Sequence, residues 1–203
     1  MSTIDSLTKI FREFPGIGPR QAARFVYYLL TRQKGYLENL AHLILELKKG
    51  VRVCTSCQRF FSDGKISTAL CEICRDTSRD QKTLMIVSKD IDLENVEKAH
   101  SYNGLYFVLG GTVPILEKEP ERKVRARELS VAVTEKMKGG LSEIILAMNL
   151  NPEGENTGEY VVQLLSPLAR GVKFSTLGRG LSTGTELEYS DAETIKNALR
   201  NRG

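Results

Sequence analysis

Cys54, Cys57, Cys71 and Cys74 form two Cys-x2-Cys pairs with 13 residues between them, Gly64 included. Two thiolates three positions apart can face one ion from a tight turn, and two such turns complete a tetrahedral shell. Zinc suits that shell because it brings no redox chemistry and no geometric demand beyond four soft ligands. An iron–sulfur cluster, a redox dithiol pair and four unrelated buried thiols are the competing readings. A shell of four protein ligands is closed, so a structural rather than a catalytic ion is expected. The chain has no apolar run of the ~18 residues a membrane span needs, and its opening MSTIDSLTKIFREF is amphipathic. A reducing, cytoplasmic setting with no membrane contact is therefore expected, which favours metal over disulfides.

A second pattern, PGIGPR at 15–20, offers backbone chemistry. Pro15 and Pro19 are barred from a helix interior, while Gly16 and Gly18 permit positive φ, so a tight turn is forced. Such a turn between helices can aim the N–H groups of Gly16 and Gly18, and the positive end of the following helix, at a phosphate. No base is contacted, so binding would be indifferent to sequence. Arg20 and Arg24, four apart, would extend the cationic surface. An ordinary helical turn with solvated arginines is the alternative. Charge distribution bears on the choice: residues 1–53 carry nine basic and four acidic side chains, residues 80–167 ten and fourteen. A basic first quarter before an acidic body fits a polyanion-binding end.

The elements that must position these groups follow from periodicity. Apolar residues at three- and four-residue spacing predict helices at 3–14, 20–33 and 36–49. Short apolar strands at 84–87, 105–109, 144–148 and 172–175 alternate with helical patterns at 92–101, 125–138 and 155–166, which predicts a doubly covered parallel sheet. A last helix is expected from Ser190, with Glu193 completing a capping box and Ile195 and Leu199 on one face. With 203 residues, 41% hydrophobic and 27% charged, and a mean hydropathy of −0.23, the chain reads as a soluble globular protein of one to three domains.

An enzyme of phosphodiester chemistry on this sheet would need carboxylates at strand ends to hold Mg2+. Ser88 and Asn149 occupy those positions, and Asp90, Asp92 and Glu153 lie further on in turns. Asp92 and Glu94 read as a helix start complementing the dipole. His42 and His100 fall in helical patterns, and neither GxSxG nor GxxxxGK[ST] occurs. A non-enzymatic protein is expected; the alternatives are a Mg-dependent enzyme using Asp90, Asp92 and Glu153, and a metal-stabilised interaction module with no DNA role.

Helix, PGIGP hairpin, four-cysteine knuckle, then YNGLYFVLGG, EIILAMNLNPEGENT and GRGLSTGTELEYSDAETIKNAL: in this order the chain resembles the bacterial recombination mediator family RecR over essentially its whole length. The resemblance implies a helix-hairpin-helix domain (1–53), a zinc finger (54–78), a Toprim domain (79–170) and a C-terminal Walker-B-like segment with a helix (171–203). It implies no catalytic activity, ring-like clamps on single- and double-stranded DNA, and action with RecO, and in some species RecF, to load RecA on SSB-coated single strands. By position, Arg20 and Arg24 match its DNA contacts, the four cysteines its zinc ligands, and Asp92 its Toprim aspartate, which faces partners. Ser88 stands where the family usually has glutamate, Phe107 where it has histidine and Thr176 where it has arginine; loss of the glutamate and the arginine weakens metal or nucleotide chemistry. Three short helices offer more apolar face than they can hide, so at least a dimer is expected, with Leu7 and Phe11 at the contact. The tetrameric ring, its second contact through the helix from Ser190, comes from the resemblance.

Overall fold

The structure, a computed structural model, describes residues 1–62, 68–178 and 196. The chain divides into two units, Met1–Val51 and Arg52–Gly203. In the first, Ser2 caps α1 (Thr3–Arg12): the Asp5 N–H donates to Ser2 Oγ at 3.2 Å and the Ser2 N–H to Asp5 Oδ2 at 3.0 Å. Helix α2 (Pro19–Leu30) buries Ala22 and Val26, and Phe25 meets Phe11 edge to face with centroids 5.8 Å apart. It stops short of the expected residue 33, where the Thr31 hydroxyl donates to the Tyr28 carbonyl at 2.7 Å and competes with a further turn. Leu7 and Phe11 are half-buried in this unit. Apolar side chains are open both on and just after α1, where Ile10 and Phe14 are 53% and 51% exposed, and on α3 (Lys34–Gly50), where no residue is fully buried and Leu43, Ile44 and Leu47 are 57%, 62% and 63% exposed.

The second unit starts with a two-stranded antiparallel ribbon, β1 (Arg52–Val53) and β2 (Phe60–Phe61), and the short helix α4 (Glu72–Arg75). Then β3 (Asp80–Val87), α5 (Asp90–Lys98), β4 (Gly104–Val108), α6 (Ala126–Lys138), β5 (Glu143–Ala147), α7 (Pro152–Leu165) and β6 (Lys173–Thr176) follow. The four strands β3–β6 are all parallel in the order β4-β3-β5-β6, with Val87 opposite both Val108 and Ala147 at the strand ends. Helix α7 begins earlier than the expected 155, because Asn151 caps it by accepting from the Gly154 N–H at 2.7 Å and Pro152 fits its first position.

Strand residues alternate between two cores, as a period of two requires. Leu84, Ile86, Leu105, Phe107, Ile144 and Leu146 pack with Leu129 and Val133 of α6 and Val161 and Leu165 of α7. Met85, Val87, Tyr106 and Val108 face Leu93 of α5 together with Cys54, Cys57, Cys71, Phe61 and Ile73. Both faces are thus covered as expected, one of them by a helix and the cysteine knuckle. No helix among the described residues is long and apolar enough to cross a membrane. The expected helix from Ser190, apart from residue 196, and Gly64 lie outside the described residues.

Candidate functional site

Each cysteine pair sits where the backbone turns sharply. The Gln58 N–H donates to the Cys54 carbonyl at 2.9 Å, the Cys54 N–H to the Arg59 carbonyl at 2.9 Å, and the Arg75 N–H to the Cys71 carbonyl at 3.1 Å. Gln58 closes the first turn at φ 63, the left-handed region that a non-glycine residue enters at a cost. These turns bring all four Sγ atoms within 4.8 Å of one another, with Cys57 and Cys71 at 3.6 Å. Four thiolates at about 2.3 Å from one ion stand about 3.8 Å apart, so the donor set fits a tetrahedral metal. The Cys71 N–H also donates to Cys54 Sγ at 3.4 Å, the kind of contact that stabilises a thiolate. Cys54, Cys57 and Cys71 are fully buried. So close together, the thiols compete for protons: the neighbouring Cys57 holds Cys54 far below its ordinary value, and Cys54 in turn pushes Cys57 far up. A bound cation resolves this by making all four thiolates. The site can therefore hold a metal ion, closed to further ligands.

The knuckle is tied to the sheet by residues 57–60. The Cys57 carbonyl accepts from the Val108 N–H at 2.8 Å, and the Phe60 N–H donates to Asp90 Oδ1 at 2.7 Å. Arg125 Nη1 donates to the Gln58 carbonyl and to the Val108 carbonyl, the latter at 3.2 Å, while its guanidinium lies 5.6 Å from the Phe60 ring centre. Sequence reasoning overlooked Arg125; its partners are 67 and 17 positions away, and nothing local marks it.

The three carboxylates that a Mg-dependent site would use do not converge. Asp90 is held by Phe60, the Asp92 carboxylate accepts from the Lys89 N–H at 2.9 Å, and Glu153 accepts from the Thr112 hydroxyl. Asp92 thereby caps the start of α5, its expected local role. Ser88 is buried and donates to Met148 Sδ at 3.3 Å, so the position the family resemblance gives to glutamate is used for packing here. Among the described residues, the four cysteines are the sole cluster of three or more His, Cys, Asp or Glu side chains able to share an ion.

In the first unit the hairpin has the expected shape. Gly16 takes φ 77, Gly18 is the extended N-cap of α2 and Pro19 its first residue. Having no side chain, Gly18 cannot cap the helix, so the Arg20 and Gln21 N–H groups of the first turn have no side-chain cap, while the Ala22 N–H donates to the Gly18 carbonyl at 3.0 Å. Arg20 and Arg24 are exposed one turn apart and have no acidic partner among the described residues.

Comparison with known proteins agrees with this layout. The model of the RecR helix-hairpin-helix matches residues 4–48, that of the Toprim domain 82–177, and that of the RecR C-terminal region 180–202. The Recombination protein RecR of Chlorobium chlorochromatii (strain CaD3) is 35% identical over 199 residues, covering 98% of this chain and 95% of the relative. That of Chloroflexus aggregans (strain MD-66 / DSM 9485) is 38% identical over 196 residues, covering 97% and 91%. Matched nearly end to end at this identity, and with the helix-hairpin-helix, Toprim and C-terminal models falling in chain order, the chain belongs to the RecR family of recombination proteins.

Proposed function

We propose that this protein is a non-enzymatic mediator of recombinational DNA repair that grips single- and double-stranded DNA without reading sequence. The carrying observation is the hairpin: uncapped N–H groups at the start of α2 beside two exposed arginines that have no acidic partner among the described residues. One phosphate meets the first turn, with Gly16 and Gly18 letting the backbone approach closely, and Arg20 and Arg24 neutralise the neighbouring ones. The metal is zinc, held by Cys54, Cys57, Cys71 and Cys74, and its role is structural. The dispersal of Asp90, Asp92 and Glu153 into separate hydrogen bonds supports the absence of phosphodiester chemistry.

Assembly supplies the rest of the mechanism. The aliphatic face of α3 is covered by a second copy, and a ring of such copies encircles DNA, so the hold is topological as well as electrostatic. The family resemblance supplies RecO, and in some species RecF, as partners on the Asp92 side, RecA loading on SSB-coated strands as the outcome, and the cytoplasm, around the nucleoid, as the setting.

The test is salt-dependent DNA binding by fluorescence anisotropy. Arg20→Glu and Arg24→Glu should each weaken every duplex alike and lower the log–log salt slope by about 1. Wild-type affinity in the double variant would remove the hairpin from the mechanism.

A further inference from the structure

Main-chain groups of residues 57, 58 and 60 reach one end of the sheet, while the Arg59 guanidinium pairs with Glu72 inside the knuckle at 2.9 Å. Val108 is the last residue of β4, an outer strand of the described sheet, and its N–H is satisfied by the Cys57 carbonyl. Asp90 is the first residue of α5, two positions before Asp92, and it receives the Phe60 N–H. Arg125 immediately precedes α6 and bridges the knuckle and β4 by donating to the carbonyls of Gln58 and Val108. Within the knuckle the ribbon has two residues per strand, and such hairpins are marginal in water; the Thr55 N–H to the Ala69 carbonyl at 3.0 Å and the Arg59–Glu72 pair at 2.9 Å join it to the second cysteine turn. Gln58, moreover, is kept in the left-handed region, from which a non-glycine residue relaxes once the turn is released.

We propose that the knuckle is a metal-dependent clasp on the strand-end face, holding the end of β4 and the first turn of α5, with Asp90 and Arg125 as positioning residues. The inference rests on the metal reading of the four cysteines and extends it. An ion fixes the Cys54–Cys57 turn, and that turn fixes the directions of the Cys57 and Gln58 carbonyls and the Phe60 N–H. Without the ion Gln58 relaxes, its carbonyl leaves Arg125, and the Val108 N–H and Asp90 lose their partners together. The turn that carries Asp92 then loosens, while β5, paired with β3 on one side and β6 on the other, keeps its ladder. The metal state thus sets the order of the surface proposed above for partner contact.

The test uses the full chain with its metal, and with the metal stripped by EDTA, followed by hydrogen exchange. Stripping should speed exchange at Val108 and in the first turn of α5 at least tenfold and leave β5 protected. Release of the ion to a chromogenic chelator should be about 10–100-fold faster in Asp90→Ala and in Arg125→Ala, the range expected for groups that support metal ligands. Asp90→Asn keeps an acceptor oxygen for the Phe60 N–H and should release at the wild-type rate. Complete stripping with unchanged protection at Val108, equal loss of protection in β5, or wild-type release from both alanine variants would each overturn the clasp and leave the metal reading standing. A well-folded protein isolated with no metal would overturn both.

Discussion

Gly154 and Gly158 lie one turn apart on α7, and the structure gives alanine opposite effects at the two positions. A Cβ at Gly154 would stand 2.1 Å from the Asn149 carbonyl oxygen and 2.9 Å and 3.1 Å from the carbon and nitrogen of the same residue. Carbon and oxygen need about 3.3 Å, so the loop after β5 must retreat by roughly 1 Å. That neighbour is backbone, and Asn151 pulls the loop in by capping the Gly154 N–H. Overpacking of this kind costs about 1–3 kcal/mol or more, against a gain of up to about 1 kcal/mol from replacing glycine in a helix. Gly154→Ala should therefore destabilise by roughly 2 kcal/mol, lowering Tm by about 4–8 °C for a unit of this size. At Gly158 the nearest atoms are Leu146 Cδ1 and Met148 Cγ, both at 3.9 Å, which is ordinary contact. Gly158→Ala should accordingly be neutral or stabilising by up to about 1 kcal/mol. Differential scanning calorimetry of both variants decides the matter: a Tm for Gly154→Ala equal to or above that of Gly158→Ala would refute the steric reasoning and the placement of the strand-end loop.

Gln58→Gly should raise stability by up to about 1 kcal/mol by relieving the left-handed residue, net of the extra freedom of the unfolded chain; a lower denaturation midpoint would contradict the turn geometry. Burial opposes the charge of Glu97, but its two hydrogen bonds with Arg79 outweigh burial and hold the carboxyl below its usual range. That contribution is present above the unfolded value of about 4.3 and is lost as pH falls through the folded one, so wild type should exceed Glu97→Gln at neutral pH and converge with it in acid; a constant gap would contradict the assignment. Metal analysis should return about one zinc per chain and none for Cys71→Ser, which should also unfold the knuckle; iron in its place would change the reading. Ile44→Glu on the open face of α3 should lower the oligomer mass measured by light scattering, and a monomeric wild type at tens of micromolar would remove the clamp mechanism.

Much of the fold was legible because its signals are local. Both cysteine pairs, the hairpin with Pro19 at a helix start, and four strands placed within a few residues of their observed ends all follow from spacings of two to four residues. The early start of α7 was legible as well, in Asn151 and Pro152, whose cap and first-turn roles the apolar periodicity masked. Leu7 and Phe11 show the limit of periodicity: it marks an apolar face without saying whether a neighbour in the same unit covers it. Phe25 meets Phe11 edge to face, whereas Leu43, Ile44 and Leu47 of α3 are left open.

Local spacing specified the donor set and the small elements that carry it: four thiols at ligand spacing, a glycine–proline turn between helices and alternating strands and helices. Long-range packing alone set three further features: the knuckle completes one core of the sheet, Asp90 receives an N–H from 30 residues away instead of joining Asp92 and Glu153 around an ion, and Arg125 bridges to residue 58. The physical reason is that a carboxylate is equally able to bind a cation or accept a hydrogen bond, and a guanidinium to meet phosphate or a carbonyl. Which partner each finds depends on how the chain returns through the parallel sheet, and that return is set by the packing of both faces at once rather than by any run of neighbouring residues.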